Sequence, residues 1–167
     1  MKDVHIEWLV KKQQTLTDKL IRIVTMFFSI VSVLLVFLTG QVLIMVVAIA
    51  ICILTYLAYN HTDIEYEYIY VPGELLIDRI MSKSRRKRIE IIDTGRIEVV
   101  APLNSHNLDG HKHKKYKECD YTSGIREQGS HILVIYYADG KKILLEPSRD
   151  LMVALKDELP HKVHIDY

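Results

Sequence analysis

A long run without charge limits the folds that are open to this chain. From Ile23 to Asn60 there is no Asp, Glu, Lys or Arg, whereas the sequence on both sides is rich in these residues. As one helix the run would be about 57 Å long, nearly twice the roughly 30 Å hydrocarbon core of a bilayer. Thr39-Gly40-Gln41 places a poor helix former between two polar residues and divides the run. We therefore expect a transmembrane helical hairpin over 20–59, with helices at 20–38 and 42–59.

A soluble core and a signal peptide both fit the run less well. Two adjacent helices that are apolar on every face would need more protein around them than the rest of the chain can supply as a soluble core. A cleaved signal peptide has a shorter apolar stretch and a small-residue cleavage site, and this segment shows neither feature.

The charges that flank the run predict its orientation. Residues 1–22 contain five Lys or Arg against three acidic residues, the region after residue 60 contains many more basic residues, and the turn at 39–41 contains none. By the positive-inside rule, we expect a multi-pass plasma-membrane protein with both termini in the cytoplasm. Cys52 lies in the run and Cys119 beyond it, so we expect no disulfide between them.

The segment before the helices, residues 1–19, is compatible with two structures. It can form a short interfacial helix with Trp8 among the headgroups, or it can be the frayed start of the first spanning helix. The predicted interfacial anchors, in this segment and near the end of the second helix, are Trp8, Lys11, Lys12, Tyr56 and Tyr59.

From Ile64 onward, apolar residues recur at every second position, as they do in strands. Pro72-Gly73 and Asp139-Gly140 are typical turn pairs. An amphipathic helix is expected between Ser148, a good N-cap, and Pro160. The pattern predicts seven strands, at 64–71, 74–81, 88–93, 96–101, 115–121, 131–138 and 141–146.

Seven short antiparallel strands followed by one helix is the element order of a pleckstrin-homology (PH) fold. Most of the chain resembles the bacterial PH-like (bPH) membrane proteins, and in particular a small family with a two-helix hairpin. The shared motifs are EYEY…GEL.IDRI…SRRKRI, at 65–68, 73–80 and 84–89, and a closing P…LKDELP at 147–160. The resemblance implies an α+β fold, in which the hairpin precedes a cytoplasmic PH-like domain at 60–167. This domain would be a seven-stranded antiparallel β-barrel or sandwich with a C-terminal α-helix. The resemblance implies no catalytic residue and no cofactor.

KSRRKR, residues 83–88, is the densest basic stretch in the chain. If the strand at 64–71 runs away from the membrane, strict alternation of strands returns the windows 79–88, 102–117 and 139–142 to it. These windows hold 12 Lys or Arg and 2 acidic residues, whereas the predicted distal windows at 72–74, 93–96 and 122–130 hold 2 and 3. We therefore expect a basic rim that contacts anionic lipid headgroups. Its members are Arg79, Lys83, Arg85, Arg86, Lys87, Arg88, Lys112, Lys114, Lys115, Lys141 and Lys142.

Several alternatives remain beside this hypothesis. The basic residues can serve only as a topology signal, or the domain can be an interaction scaffold that binds a protein through a sheet edge, the face of Tyr66, Tyr68 and Tyr70, or the closing helix. Homo-oligomers remain open. Nucleic-acid binding is not expected, because the net charge is only +1 and a lipid-facing patch leaves no room for a duplex.

The segment HNLDGHKHKKYKEC contains residue types that bind metals, namely His106, Asp109, His111, His113 and Cys119. Their spacing matches no closed zinc motif, and the interleaved lysines would repel a cation. We therefore expect a solvated, pH-sensitive loop and no metal. The sequence also contains no phosphate-binding Gly-rich loop, nucleophile elbow or HExxH motif, so catalysis is not expected.

Overall fold

The computed structural model describes residues 5–111, 113–126 and 131–165. The chain divides into two compact units. The helical unit comprises Gln13–Ile64 and Met81–Arg85, and the β unit comprises Met1–Lys12, Glu65–Ile80 and Arg86–Tyr167.

The helical unit contains two helices, α1 at Leu16–Thr39 and α2 at Val42–Thr62. Asp18 begins α1 by accepting a hydrogen bond from the Thr15 backbone N–H at 3.0 Å. Gly40 ends it in the left-handed conformation, with φ of 62°, and donates its N–H to the Val36 carbonyl at 2.9 Å. The predicted break at 39–41 is therefore confirmed, and α1 begins four residues before the predicted start.

Small and polar side chains line the contact between α1 and α2. Ala48 of α2 is buried, and the Thr55 hydroxyl donates to the Thr25 carbonyl at 3.1 Å. Ser29 and Cys52 approach each other to 3.3 Å. Nearly all other large apolar side chains of both helices are exposed. Both helices are thus long and apolar enough to cross a membrane.

The first sheet of the β unit has four strands in the order β1-β2-β3-β4. They are β1 at Ile6–Lys11, β2 at Ile64–Val71, β3 at Glu74–Met81 and β4 at Arg85–Asp93. β1 pairs antiparallel with β2, with Ile6 opposite Tyr70 and Lys11 opposite Glu65. Both expectations for the N-terminal segment are therefore wrong from residue 6 to residue 11. These residues alternate like a strand and bury Val10, which is 7% exposed.

The second sheet has four strands in the order β5-β7-β8-β6. They are β5 at Ile97–Pro102, β6 at Lys117–Asp120, β7 at Leu133–Tyr137 and β8 at Lys141–Leu145. β6 runs parallel to β8, and the other described pairs of this sheet are antiparallel. The described residues therefore form two four-stranded sheets with eight strands and no closed barrel. Of the predicted seven-stranded antiparallel barrel or sandwich, the strand number and the barrel are not confirmed, and the direction of β6 is wrong.

The last helix, α3 at Arg149–Glu158, begins as expected, because the Ser148 hydroxyl accepts from the Leu151 N–H at 3.2 Å. Leu151 and Leu155 of α3 are fully buried. They belong to the same unit as the fully buried side chains of both sheets, which include Tyr68, Leu75, Ile77, Ile92, Ile97, Ile135, Ile143 and Leu144.

The assumed alternation of strand direction fails at β6. The turn at 139–140, which was expected at the membrane end, lies beside the 94–96 turn, which was expected at the far end. The Ala138 backbone N–H donates to the Arg96 carbonyl at 3.2 Å. The Lys117 backbone N–H donates to the Gly140 carbonyl at 2.8 Å. The chain between β5 and β6 carries a short 3-10 helix at His106–His111 and crosses the sheet, so β6 enters from the opposite end. Strict alternation cannot anticipate such a crossover.

Candidate lipid-contact site

The turn between β3 and β4 belongs to the helical unit. Its first two residues, Ser82 and Lys83, both have left-handed backbone conformations, with φ of 47° and 55°. For residues other than glycine such conformations cost on the order of 1 kcal/mol each, so the surroundings must hold them. Ser84 donates its N–H to the Met81 carbonyl at 3.2 Å, and Ser82 donates its N–H to the Asp63 carbonyl at 2.9 Å. Asp63 follows the last residue of α2 directly, so the turn is fastened to the end of that helix.

Two cations of this turn face solvent. The side chains of Lys83 and Arg85 are exposed. Within the ranges that the structure describes, neither side chain makes an ion pair or a hydrogen bond. Lys87, in the β unit, is also exposed, and its side chain makes no ion pair or hydrogen bond with a described residue. These charges are available to an external anion.

The two other arginines of KSRRKR are engaged within the β unit. Arg86 pairs with Glu67 at 2.9 Å, and Arg88 binds Asp78 through both carboxylate oxygens at 2.9 and 3.3 Å. The carboxylate side chains of Glu67 and Asp78 are only 4% exposed. Burial raises the pKa of Glu67, and the Arg86 guanidinium opposes that rise. The hydrogen bonds to Asp78 raise the pKa of Arg88. Two of the five cations in the basic stretch that the sequence assigned to lipid are thus already paired.

Sequence reasoning did not single out Glu67 or Asp78. Both stand inside predicted strands that are rich in apolar residues. An acidic residue in such a place is a usable signal, because a buried carboxylate needs a cationic or hydrogen-bonding partner. The signal does not identify the partner, since Arg86 lies two strands away from Glu67 in the sheet order.

Arg79 of β3 makes no hydrogen bond through its side chain to any residue that the structure describes. Its side chain is half-buried, and its Nε atom is shielded from solvent without a hydrogen-bond acceptor. Among the described residues it makes no ion pair. An arginine in this state is a buried donor that lacks its acceptor.

The remaining residues of the expected rim fall into three groups. Lys112 lies outside the described residues. Lys114 and Lys115 are exposed. Lys141 pairs with Glu90, and Lys142 with Glu118, each at 2.8 Å. The hydrogen bond from Lys141 to Glu90 raises the pKa of that lysine. Lys141 and Lys142 follow the 139–140 turn beside Arg96, so the alternation that placed them at the membrane end is wrong.

The expected aromatic anchors differ in whether they already contact other protein groups. Tyr59 lies under the Arg22 guanidinium, which is 4.2 Å from the ring centre, and Tyr56 is exposed on α2. Trp8 is 43% exposed and donates its indole N–H to the Glu146 carbonyl at 3.0 Å in the β unit, so its polar atom has a protein partner.

Of the two lysines expected beside these aromatic anchors, Lys11 lies 3.8 Å from Glu65, and Lys12 is exposed.

The histidine-rich segment forms local contacts. His111 stacks on Tyr136 with ring centres 4.9 Å apart, and its Nδ1 lies 3.0 Å from the Tyr116 hydroxyl and 3.4 Å from Glu98. In the parts of the chain that the structure describes, no three His, Cys, Asp or Glu side chains are arranged to hold a metal ion.

The family comparison covers almost the whole chain. The description Bacterial PH-like domain (DUF6106) matches residues 2–165, which include the helices, both sheets and α3. No curated protein and no solved structure matches the sequence. The chain therefore belongs to the bacterial PH-like domain family DUF6106.

Proposed function

We propose that this protein is a membrane-anchored PH-like module whose β3–β4 turn contacts anionic lipid headgroups and orients the cytoplasmic domain. The observation that carries the proposal is the hydrogen bond from Ser82 to Asp63, which fastens the basic turn to the end of an apolar helix. A cation fixed at that point lies at the membrane surface if the helix spans the bilayer.

The lengths of both helices support a double crossing. α1 has 24 residues and α2 has 21, which correspond to about 36 and 32 Å. Each is long enough for a hydrocarbon core of roughly 30 Å. The exposed apolar side chains of both helices are covered by lipid in this proposal.

The pairing of β1 with β2 supports a hairpin. β1 precedes α1 and β2 follows α2, yet the two strands are hydrogen-bonded in one sheet. Both ends of the helix pair must therefore emerge on the same side of a membrane, which requires an even number of crossings. Together with the flanking lysines and arginines, this favours both termini in the cytoplasm of a multi-pass plasma-membrane protein.

The energy of the contact favours orientation over anchoring. Each Lys or Arg near an anionic leaflet contributes about 1 kcal/mol, so Lys83 and Arg85 together contribute about 2 kcal/mol. Two spanning helices already make insertion effectively irreversible. In this proposal, Lys83 and Arg85 therefore favour one orientation of the domain relative to the membrane. We propose no catalytic role and no cofactor.

The test uses the full chain in nanodiscs. Cys52 and Cys119 are replaced by Ser, Ser84→Cys carries a fluorophore, and quencher-labelled lipid headgroups report how closely the turn approaches the membrane. We expect stronger quenching with phosphatidylglycerol than with phosphatidylcholine alone, and Lys83→Ser/Arg85→Ser should remove the difference.

The matched control is Lys114→Ser/Lys115→Ser, which removes the same charge from another exposed basic pair. It should leave the difference unchanged. The proposal fails if quenching is the same with and without phosphatidylglycerol. It also fails if both double variants reduce the difference between the two lipids equally, because the turn then makes no specific contact with anionic lipid.

A protein-binding role is the second candidate, favoured by a groove between β1 and α3. Ile6, Tyr70 and Val153 give it an apolar floor, and Asp150 and Asp157 place acidic groups in it. This chemistry suits a basic, partly apolar segment of another protein. Photo-crosslinking from position 153 in cells should capture such a partner, and Asp150→Lys/Asp157→Lys should abolish the capture.

A further inference from the structure

A second group of cations lies on the opposite face of the β3–β4 hairpin from Arg86 and Arg88. The two-point contact of Arg88 with Asp78 brings these side chains together on one face of the hairpin. β3 ends at Met81 and β4 begins at Arg85, so a three-residue turn joins them. Because side chains alternate along a strand, we expect Arg79 and Lys87 near each other on the other face, close to the turn.

Two like charges near each other on one face destabilise a sheet. Residues directly across from each other have Cβ atoms roughly 4.5–5.5 Å apart, and like charges at or near such positions repel. Nothing among the described residues compensates, because neither Arg79 nor Lys87 has a carboxylate partner there. The shielded Nε of Arg79 also lacks an acceptor. An anion between the two side chains would remove both penalties.

Tyr66 adds a neutral donor beside Arg79. Its side chain is almost fully buried, and its ring packs edge-on against Tyr121 with centres 5.6 Å apart. Burial raises the pKa of Tyr66, and the Arg79 guanidinium opposes that rise. The phenol therefore keeps its proton at neutral pH. Within the described ranges its hydroxyl makes no hydrogen bond.

The carboxylate that acts on Tyr66 is already engaged. Asp120 accepts from the Thr122 backbone and hydroxyl at 3.0 and 2.7 Å, and it pairs with Arg126 at 3.1 Å. It is therefore a weak competitor for the Arg79 guanidinium.

We propose that Arg79, Lys87 and Tyr66 form a binding site for a phosphate oxyanion. A guanidinium offers a planar fork of donors, an ammonium offers a point charge and a phenol offers one more donor, which together suit the several oxygens of a phosphate. If lipid supplies the phosphate, this site rests on the proposed function and names the headgroup phosphate as the group that is recognised. A soluble phosphate ester presents the same chemistry.

The experiment follows the Arg79 side chain in the full chain in nanodiscs. Its Nε–H resonance is assigned by its loss in Arg79→Lys. In phosphatidylcholine discs, we titrate inorganic phosphate against chloride of equal ionic strength. In a second arm without phosphate, we compare phosphatidylcholine discs with discs that contain phosphatidic acid. A saturable shift in the first arm identifies a free anion, and a shift in the second identifies lipid; either result supports the site.

The exposed Lys87 supplies the variant that is expected to fold. Lys87→Gln should weaken the Arg79 response about tenfold or more, because it removes one charge-assisted hydrogen bond. Lys117→Gln is the matched control, since Lys117 is also an exposed strand lysine. The site is overturned if the Arg79 resonance is the same in phosphate and chloride and in both kinds of disc, or if Lys117→Gln weakens the response as much as Lys87→Gln.

This result is separable from the proposed function. Lys83→Ser/Arg85→Ser should remove the headgroup quenching of the turn and leave the response of Arg79 to inorganic phosphate intact. A normal turn contact with an unresponsive Arg79 overturns the site alone, and the reverse result overturns the turn contact alone.

Discussion

One carboxylate in the β unit joins three separate parts of the fold. Glu158, at the end of α3, accepts hydrogen bonds from the Tyr70 hydroxyl at 2.7 Å, the Gly73 backbone N–H at 2.9 Å and the Thr94 hydroxyl at 2.7 Å. Gly73 adopts a φ of 95° in the turn after β2, and Thr94 opens the turn after β4. The side chain therefore fastens two turns to the last helix. We predict that Glu158→Ala is among the most destabilising single changes in the β unit.

The expected loss follows from the number of bonds. A hydrogen bond contributes about 1 kcal/mol net, and about 1.5–3 kcal/mol when one partner is charged. Three bonds to a carboxylate would sum to more than about 4 kcal/mol at this rate. Because Glu158 is only half-buried and water can replace part of the bonding, we expect a loss of about 3–5 kcal/mol for Ala. A Gln side chain keeps one acceptor oxygen and the same length. Glu158→Gln should therefore lose less, about 1–2 kcal/mol.

Thermal unfolding in detergent measures the difference. Trp8 is the single tryptophan and lies in the first sheet, so its fluorescence reports on the β unit. One kcal/mol shifts the midpoint by about 4–8 °C in a domain of this size, so Ala should lower it by more than about 12 °C. Asp157→Ala is the control, because it removes the same charge from an exposed neighbour. A midpoint shift of only a few degrees for Ala, or equal shifts for Ala and Gln, would refute the role of Glu158.

Three further predictions use the same fluorescence signal. Glu67→Gln should raise stability at neutral pH and flatten its pH dependence. Because burial raises the pKa of Glu67 in the folded state, the folded protein binds a proton more tightly, and wild-type stability should fall as pH rises above about 4.5. Tyr68→Phe should cost about 2–3 kcal/mol, since the buried hydroxyl donates to the Tyr121 carbonyl at 2.6 Å and accepts from the Glu146 N–H at 3.3 Å. Ser82→Gly should stabilise the turn by about 1 kcal/mol, because glycine adopts the left-handed conformation without strain.

Each of these predictions has a result that would contradict it. For Glu67, a variant with the same pH dependence as the wild type would show that another group titrates. For Tyr68, a midpoint within about 2 °C of wild type would show that water replaces both bonds. For Ser82, a loss of stability would show that the serine side chain, and not the backbone, matters in the turn.

The parts that the sequence predicts well have local signals. The helices follow from a charge-free run broken at Gly40, and β2 and β3 follow from alternation on either side of Pro72-Gly73. In each case the residues that decide the structure are close in the chain, so a short window contains the information.

The parts that the sequence missed depend on distant residues. β1 pairs with a strand beyond both helices, and its six residues look like the start of α1 when they are seen alone. β6 pairs parallel with β8, a choice that nothing within KECD reveals. Pairing between remote segments decides both elements, and a local pattern contains no record of it.

The same limit applies to the candidate site. The density of positive charge in KSRRKR was visible, and so was its position in a hairpin. Which cations are neutralised was not visible, because Arg86 finds Glu67 two strands away and Arg88 finds Asp78 on the facing strand. A count of charges by window treats all of these residues alike.

The position of β1 has a consequence for how the protein can be produced. β2 carries three tyrosines and is flanked by β1 and β3 in the sheet. A fragment that begins after the helices lacks β1 and leaves one edge of β2 with unpaired backbone groups, which is a template for aggregation. Soluble versions of the domain should therefore keep residues 5–12 and replace the helices with a short flexible linker. In the cell, the first strand leaves the ribosome long before its partner, so sheet closure waits until the whole hairpin has been synthesised.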